Sequence, residues 1–262
     1  MVKLSCTSYS YHRAFAARKF TLLEWITFCG QTLCLEGVEI ESGHFAATTP
    51  AALKEIKKAL VDQHLTLACV TAYNDFGYEL VAQNERELDA VKRWIDIALQ
   101  LGSPLLRIFA GWPHGDRETC WAIMVEYVQR ATAYAEEQGV TLVIENHNHN
   151  GFLRTSADVK RLFDAIRSPW LRLNLDTGNY LDGLPSIERT APLALHVHAK
   201  LLHLDEEGRE VHIDHARVIE ILRRINYRGF VSVEYEGEEE EETAVPRGIR
   251  YLRGLLASLY TG

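Results

Sequence analysis

Short apolar runs alternate with longer helical patterns along the whole chain. Eight runs are typical of strands, and seven of them are followed by a segment with apolar residues at helical spacing; the segment after the sixth holds only a short helix. Strict alternation of this kind predicts a parallel sheet with helical crossovers. The expected strands are residues 3–9, 37–41, 65–71, 105–111, 140–146, 171–177, 193–200 and 229–237.

Capping residues mark where several of the helices begin and end. Thr49 is a good N-cap and Pro50 fits the first helical position, while Thr155 or Ser156 begins a later helix. Glycines close the two longest patterns. The expected helices are residues 21–33, 49–63, 84–102, 117–139, 155–166, 214–226 and 244–260.

The chain length selects one architecture among the parallel folds. Eight β–α units in 262 residues have the size of a single (β/α)8 TIM barrel, and no linker or break in composition divides the sequence. An open doubly wound sheet is the alternative, but no GxGxxG follows the first strand and no phosphate-binding loop is present. We therefore expect one TIM-barrel domain over residues 1–262.

Charge and cysteine content exclude several classes of protein. A formal net charge of −8 argues against a nucleic-acid or anionic membrane partner, because such partners require a positive surface. The five cysteines include no CxxC pair, which favours reduced thiols and a cytoplasmic protein. No apolar run is long enough to cross a bilayer.

Ionisable side chains follow four consecutive strands of the predicted barrel. Glu145 ends the fifth strand and Asp176 the sixth, the seventh contains "HVHAK", and the eighth contains "VSVEYEGE". Active sites of TIM barrels form at the carboxyl ends of the strands, so barrel closure is expected to bring these groups together. Carboxylates clustered in this way repel one another unless a cation lies between them.

Strand alternation narrows the choice within the last two strands. His196 and His198 share a face, and His198 is nearer the carboxyl end. Glu234 directly follows apolar residues, whereas Glu236 begins an acidic run typical of a solvated loop. Three carboxylates and one imidazole suit Mn²⁺, Mg²⁺, Co²⁺ or Zn²⁺. The predicted metal ligands are Glu145, Asp176, His198 and Glu234.

Other residues near the strand ends are candidates for substrate binding. Lys200 lies two residues after His198 on the same face, where its ammonium group can bind a substrate oxygen or phosphate. Arg107 lies within the fourth strand, so it requires an acid or an anionic ligand as partner. Trp112 and His44 follow the fourth and second strands, where an aromatic ring can line a sugar site. Asn179 can hydrogen-bond a ligand.

The motifs "VIENHN", "LNLDTGN", "HVHAK" and "VSVEYEG", in this order and spacing, resemble the sugar phosphate isomerase/epimerase superfamily. These are xylose isomerase-like TIM barrels, a group that includes endonuclease IV enzymes. The resemblance implies metal ligands at Glu145, Asp176, His198 and Glu234, with the two glutamates also moving a proton. In related dehydratases a histidine at the place of His147 is a proton carrier.

The resemblance has specific departures. The ketose 3-epimerases have a histidine where this chain has Asn179, and an arginine near the place of Lys200. Endonuclease IV enzymes use further histidines in the first half of the barrel, and the third and fourth strands here end without histidine.

These features predict a metal-dependent isomerase or epimerase of a small sugar or sugar derivative. The mechanism would be proton transfer through a metal-stabilised enediolate, with Glu145, Glu234 and His147 as catalytic residues. The alternative is a metal-dependent dehydratase of a cyclic polyol ketone or a dehydroshikimate-like acid. A sugar-binding barrel without catalysis and an endonuclease are further hypotheses. A homo-oligomer is possible.

Overall fold

The eight predicted strands all form, and they close into one barrel. In the computed structural model, which describes residues 2–260, the strands follow one another in the order β1 to β8 around a closed sheet. The chain is therefore a (β/α)8 TIM barrel, as expected. The strands are Lys3–Thr7 (β1), Gly37–Glu41 (β2), Thr66–Thr71 (β3), Leu105–Ile108 (β4), Thr141–Glu145 (β5), Leu171–Asp176 (β6), Ala194–Leu201 (β7) and Phe230–Tyr235 (β8).

The helices follow the expected pattern, with differences at their ends. A short helix after β1 was not predicted, and α4 and α9 each begin three residues earlier than expected. β1 ends at Thr7 because its hydroxyl accepts a hydrogen bond from the Tyr9 N–H and begins a 3-10 turn. The helices are His12–Ala16 (α1), Leu22–Gln31 (α2), Pro50–Asp62 (α3), Val81–Leu101 (α4), Arg117–Gln138 (α5), Ser156–Ala165 (α6), Leu184–Thr190 (α7), His215–Arg224 (α8) and Glu241–Tyr260 (α9).

The caps read from the sequence are present in the structure. Thr49 accepts a backbone hydrogen bond at the start of α3. Thr155 and Asp158 form a reciprocal capping box at the start of α6, which settles the choice between Thr155 and Ser156. Gly102 and Gly139 have φ angles of 79° and 71°, the left-handed conformation that ends a helix and that glycine adopts without strain.

The residues of the barrel group into two compact units, one of which is Cys69–Leu195. In this unit β4, β5 and β6 are parallel neighbours, and Glu145 is paired in register with Asn174. Cys69, Leu105 and Val143 form a buried apolar cluster in this unit. Burial of such side chains contributes roughly 1.5–3 kcal/mol each, so this packing fixes the strands whose ends carry polar groups.

The other unit contains the chain up to Ala68 and from His196 onward. β7 pairs with β8, β8 with β1, and β1 with β2. β7 places His196, His198 and Lys200 on one face, because side chains alternate along a strand. Lys200 is in register with Glu234 of β8. The alternation thus gives this unit a row of ionisable groups.

Two further predictions concern the cysteines and membrane-spanning helices. All five cysteines are free thiols, and Cys34 is exposed while the other four are buried. Within residues 2–260, no helix combines the length and apolarity needed to cross a membrane.

Candidate functional site

Glu145, the last residue of β5, is a buried carboxylate with several polar partners. Its Oε2 accepts a hydrogen bond of 2.9 Å from the Asn174 side chain, and its Oε1 accepts one of 3.3 Å from Asn179. The Nε of Arg107 lies 3.2 Å from Oε2. Only 3% of Glu145 is exposed. Two amide donors and one guanidinium stabilise a negative charge at this position.

The side chain of one asparagine links the ends of β5 and β6 by two hydrogen bonds. The Asn146 side chain donates to the Asp176 carbonyl and accepts from the Asp176 N–H, each at 2.9 Å. One carboxylate oxygen of Asp176 accepts the Gly178 N–H at 2.7 Å. A carboxylate oxygen of Asp176 lies within 4.8 Å of one of Glu145, and both side chains are buried. The two acids are therefore close enough to share a cation.

His147 lies beside Glu145 and is more exposed to solvent than that carboxylate. Its Nδ1 lies 3.8 Å from the Glu145 carboxylate and 3.3 Å from the Asn179 amide nitrogen. Its Nε2 lies 3.2 Å from Nδ1 of the exposed His149. The Trp112 ring meets the His147 ring edge-on at 5.5 Å, and the Trp112 indole N–H donates to the His149 carbonyl. Trp112 thus forms one wall beside a half-buried imidazole.

Arg107 is almost fully buried and is surrounded by aromatic rings and the Glu145 carboxylate. Its guanidinium carbon lies 4.1 Å from the Phe109 ring centroid and 5.7 Å from that of Tyr73. Stacking of this kind stabilises a buried cation. The expectation that Arg107 needs an acidic partner is confirmed by the Glu145 contact.

In the other unit, one carboxylate binds two histidines. Glu39 of β2 has Oε1 at 2.9 Å from Nε2 of His198, and Oε2 at 2.9 Å from Nε2 of His196. Burial alone raises the pKa of Glu39, but the two imidazoles hold it well below its usual range. Burial lowers the pKa of His198, but Glu39 and Glu234 outweigh this effect and raise it well above its usual value.

Glu234 is compensated by a buried lysine. The Lys200 ammonium donates to Glu234 and, at 2.8 Å, to Glu236. On its other side, Glu234 Oε1 lies 3.4 Å from Nδ1 of His198. Glu236 is more exposed than Glu234, as expected from the acidic run that follows. Lys200, His198 and Glu234, all predicted site residues, are therefore direct neighbours.

His44, which follows β2, contacts one hydroxyl group and one aromatic ring. Its Nδ1 is 2.7 Å from the Ser8 hydroxyl, and its ring stacks on Phe15 with centroids 4.0 Å apart. Burial, with the nearby charge of His12, lowers the pKa of His44 to about 4. His44 is therefore neutral at physiological pH, which suits hydrogen bonding to an uncharged ligand.

Glu39, the carboxylate bound by both histidines, was not predicted from the sequence. It lies in the middle of "GVEIE", and its separation from Glu41 by one residue places both acids on one face of β2. That alternation was the available signal.

Comparison with known proteins places this geometry in a family. The sequence matches the family described as xylose isomerase-like TIM barrel over residues 33–255. A comparison with curated protein sequences gave no match.

Three solved structures illustrate the likeness. The apo form of 3-keto-D-glucoside 4-epimerase, YcjR, from E. coli is 16% identical with a TM-score of 0.78, over 97% of this chain and 100% of that one. A D-psicose 3-epimerase in the presence of D-fructose is 19% identical with a TM-score of 0.80, over 97% and 99%. A probable 3-DHS dehydratase, AsbF, from Bacillus anthracis is 15% identical with a TM-score of 0.75, over 96% and 99%. At such low identities these structures establish the fold. With most of its length matched by the family, the chain belongs to the xylose isomerase-like TIM barrels.

Proposed function

We propose that this protein is a divalent-metal-dependent isomerase or epimerase that moves a proton next to the carbonyl group of a small sugar or sugar derivative. The observation that carries the proposal is the pair of buried carboxylates of Glu145 and Asp176, whose oxygens approach within 4.8 Å. Carboxylate oxygens this close together can serve as ligands of a single divalent ion. The structural relatives named as sugar epimerases support the same class of substrate.

The residues present fit a divalent ion. Glu145 and Asp176 supply two buried carboxylates, and the buried His198 and Glu234 are the imidazole and carboxylate that would complete the predicted set. This set of three oxygens and one nitrogen suits Mn²⁺, Mg²⁺, Co²⁺ or Zn²⁺. Its four members end or nearly end consecutive strands, β5 to β8, of the barrel. When bound, the ion would supply Lewis-acid polarisation of the substrate carbonyl.

The side chains of the chain itself would transfer the proton. Glu145 or Glu234 would remove the proton next to the carbonyl, and the other glutamate or His147 would return it. The asparagine contacts of Glu145 orient its carboxylate, so the acceptor oxygen is held in place before substrate arrives. Trp112 and His44 would line the sugar ring, and Lys200, Arg107 and Asn179 would bind its oxygens.

A dehydratase is the second candidate function. The specific observation in its favour is the half-buried His147, whose Nδ1 lies 3.8 Å from Glu145 and therefore near the proposed reacting atoms. An imidazole at that place can protonate a leaving hydroxyl group. One structural relative is itself named as a probable 3-DHS dehydratase.

Metal titration followed by proton-exchange NMR tests the proposal. Calorimetry should show stoichiometric Mn²⁺ or Co²⁺ binding to the wild type, lost in Glu145→Gln/Asp176→Asn. The control is Asp89→Asn/Glu136→Gln, which removes the same charges from exposed positions. A panel of ketoses, 3-keto-glucosides and dehydroshikimate-like acids in D₂O with metal should then show deuterium entering one class of substrate.

The outcomes separate the candidates. Deuterium incorporation at unchanged mass, apart from the isotope, supports isomerase or epimerase activity, and loss of water supports a dehydratase. Wild-type protein that binds no divalent metal would overturn the proposed mechanism. Metal binding that survives the double substitution would place the ion on other residues.

A further inference from the structure

We propose that Glu39 is a positioning residue that fixes the ring of His198 so that Nδ1 is the nitrogen presented to the metal. The inference deepens the proposed function and rests on it, since it concerns how one of the proposed ligands is prepared. Glu39 itself would touch neither metal nor substrate. Its contribution is to set the orientation and the tautomer of an imidazole that does.

The first step of the argument is the bonding of one ring nitrogen. The Nε2 of His198 lies 2.9 Å from Oε1 and 3.0 Å from Oε2 of Glu39, so it faces the whole carboxylate. An ionised carboxylate has no proton to donate, so Nε2 must be the donor. Binding of a metal requires the imidazolium to lose one proton, and because Nε2 keeps its proton for Glu39, the lone pair would then be on Nδ1.

The second step is the direction of the other ring nitrogen. Nδ1 of His198 lies 3.4 Å from Oε1 of Glu234, another of the proposed metal ligands. The ring is fully buried between the two acids. Glu39 therefore holds one edge of the imidazole while the opposite edge faces the carboxylate with which it would share an ion.

The third step concerns why the Glu39 carboxylate is held in one orientation. Its Oε2 also accepts a hydrogen bond from Nε2 of His196 at 2.9 Å, so imidazoles contact both oxygens of Glu39. The rings of His196 and His198 are nearly perpendicular, at 80°, with centroids 5.6 Å apart. Rotating the Glu39 carboxylate would break one or both bonds, and charge-assisted hydrogen bonds are stronger than those between neutral groups.

The same geometry distinguishes the two histidines of "HVHAK". Nδ1 is buried in both rings, so burial does not separate the two histidines. Nδ1 of His198 lies 3.4 Å from a carboxylate oxygen of Glu234, which is one of the proposed metal ligands. His196 thus helps to hold the Glu39 carboxylate in place, while His198 is the histidine whose Nδ1 would bind the ion. This division follows from the surroundings of Nδ1, because Glu39 binds Nε2 of both rings.

The direct test is NMR on protein with ¹⁵N-labelled histidine side chains, loaded with Zn²⁺ as a diamagnetic probe. In the wild type we expect His198 to retain a proton on Nε2 and to show the ¹⁵N shift of a metal-bound nitrogen at Nδ1. Binding of Zn²⁺ through Nε2 of His198 would overturn the inference without any substitution being made.

Substitutions give the second test. Glu39→Ala should weaken Mn²⁺ binding by roughly 10- to 100-fold and allow a mixture of His198 tautomers. Glu39→Gln should have a smaller effect, because its amide oxygen can still accept from one imidazole. The matched control is Glu36→Gln, an exposed acid just before the same strand, which should leave metal affinity unchanged. Circular dichroism and thermal unfolding of each variant establish that the fold is retained.

The results distinguish this inference from the proposed function. If the wild type binds no metal, the proposed function fails first. If the wild type binds metal and Glu145→Gln/Asp176→Asn does not, but folded Glu39→Ala and Glu39→Gln bind it as tightly as wild type, the site is correct and the role of Glu39 is wrong. Weakened binding with an altered His198 tautomer supports both.

Discussion

Glu145 in the Cys69–Leu195 unit is held by two neutral amides and one arginine, whereas Glu39 and Glu234 in the other unit are held by histidines and a lysine. Amides keep the same hydrogen-bonding capacity at every physiological pH, while imidazoles change theirs. The first arrangement therefore provides a fixed negative charge. The second provides charges whose partners respond to protons and, as we propose, to a metal.

The largest expected effect breaks the buried ion pair between Arg107 and Glu145. Arg107→Met removes the guanidinium that lies 3.2 Å from the buried Glu145 carboxylate, and we expect a loss of about 3–5 kcal/mol in the free energy of unfolding. Urea unfolding of variant and wild type measures it. A loss below about 1 kcal/mol would show that the amides alone compensate the charge.

The next effect tests whether the histidine-containing unit responds to pH. Burial lowers the pKa of His215 to about 4, outweighing the nearby charges of Glu210 and Asp214. Between pH 6.5 and 4 the unfolded chain therefore binds a proton that the folded one excludes, so stability falls as the pH falls. The contribution reaches about 3 kcal/mol near pH 4.

Denaturation between pH 7.5 and 4.5 measures this dependence. His215→Gln should lose the part of the slope that comes from His215, while His203→Gln, at an exposed histidine, should retain it. Equal slopes for His215→Gln and wild type would contradict the assignment.

A smaller effect isolates one amide. Asn174→Leu keeps the number and branching of the side-chain heavy atoms but removes the 2.9 Å hydrogen bond to Glu145. We expect a loss of about 2 kcal/mol in unfolding free energy, because a bond to a charged acceptor is stronger than one between neutral groups. If Arg107→Met and Asn174→Leu lowered the unfolding free energy equally, the ion pair and the amide hydrogen bond would stabilise Glu145 to the same extent, which would contradict the comparison.

The smallest effect provides the surface reference for Arg107. Arg130 binds Glu85 through two hydrogen bonds of 2.6 and 2.9 Å, and both side chains are about 40% exposed. Arg130→Met should cost no more than about 1 kcal/mol, because water screens the pair and solvates the acid left behind. A cost equal to that of Arg107→Met would mean that burial does not set the strength of these pairs.

Much of the fold was predictable because its signals are local. Each β–α unit has its own alternation of apolar residues, and Thr49, Thr155, Gly102 and Gly139 marked helix ends correctly. The start of α9 was predicted too late, since the acidic run "EEEEE" resembles a solvated loop although two of its glutamates favour the helix N-terminus. The order in which neighbouring strands pair could be predicted because β–α alternation and a closed barrel place consecutive strands side by side.

The candidate site was predictable in part for the same reason. Glu145, Asp176, His198 and Glu234 could be chosen because strand direction and alternation place a residue at a strand end from its neighbours alone. That they share one ion remains a proposal. The partners of these residues were harder to predict: the alternation of Glu39 and Glu41 places two acids on one face of β2, but it does not say which residues they contact.

The sequence by itself determined the eight strands, their helices and which residues stand at the carboxyl ends, because hydrophobic periodicity and capping act over a few residues. Only the tertiary structure decided that Glu39 binds His196 and His198, residues 157 and 159 positions away in the chain, and that Arg107 meets Glu145. Such contacts depend on register and packing between strands distant in sequence. Buried ionisable groups must find partners there, and the folded barrel selects which ones are within reach.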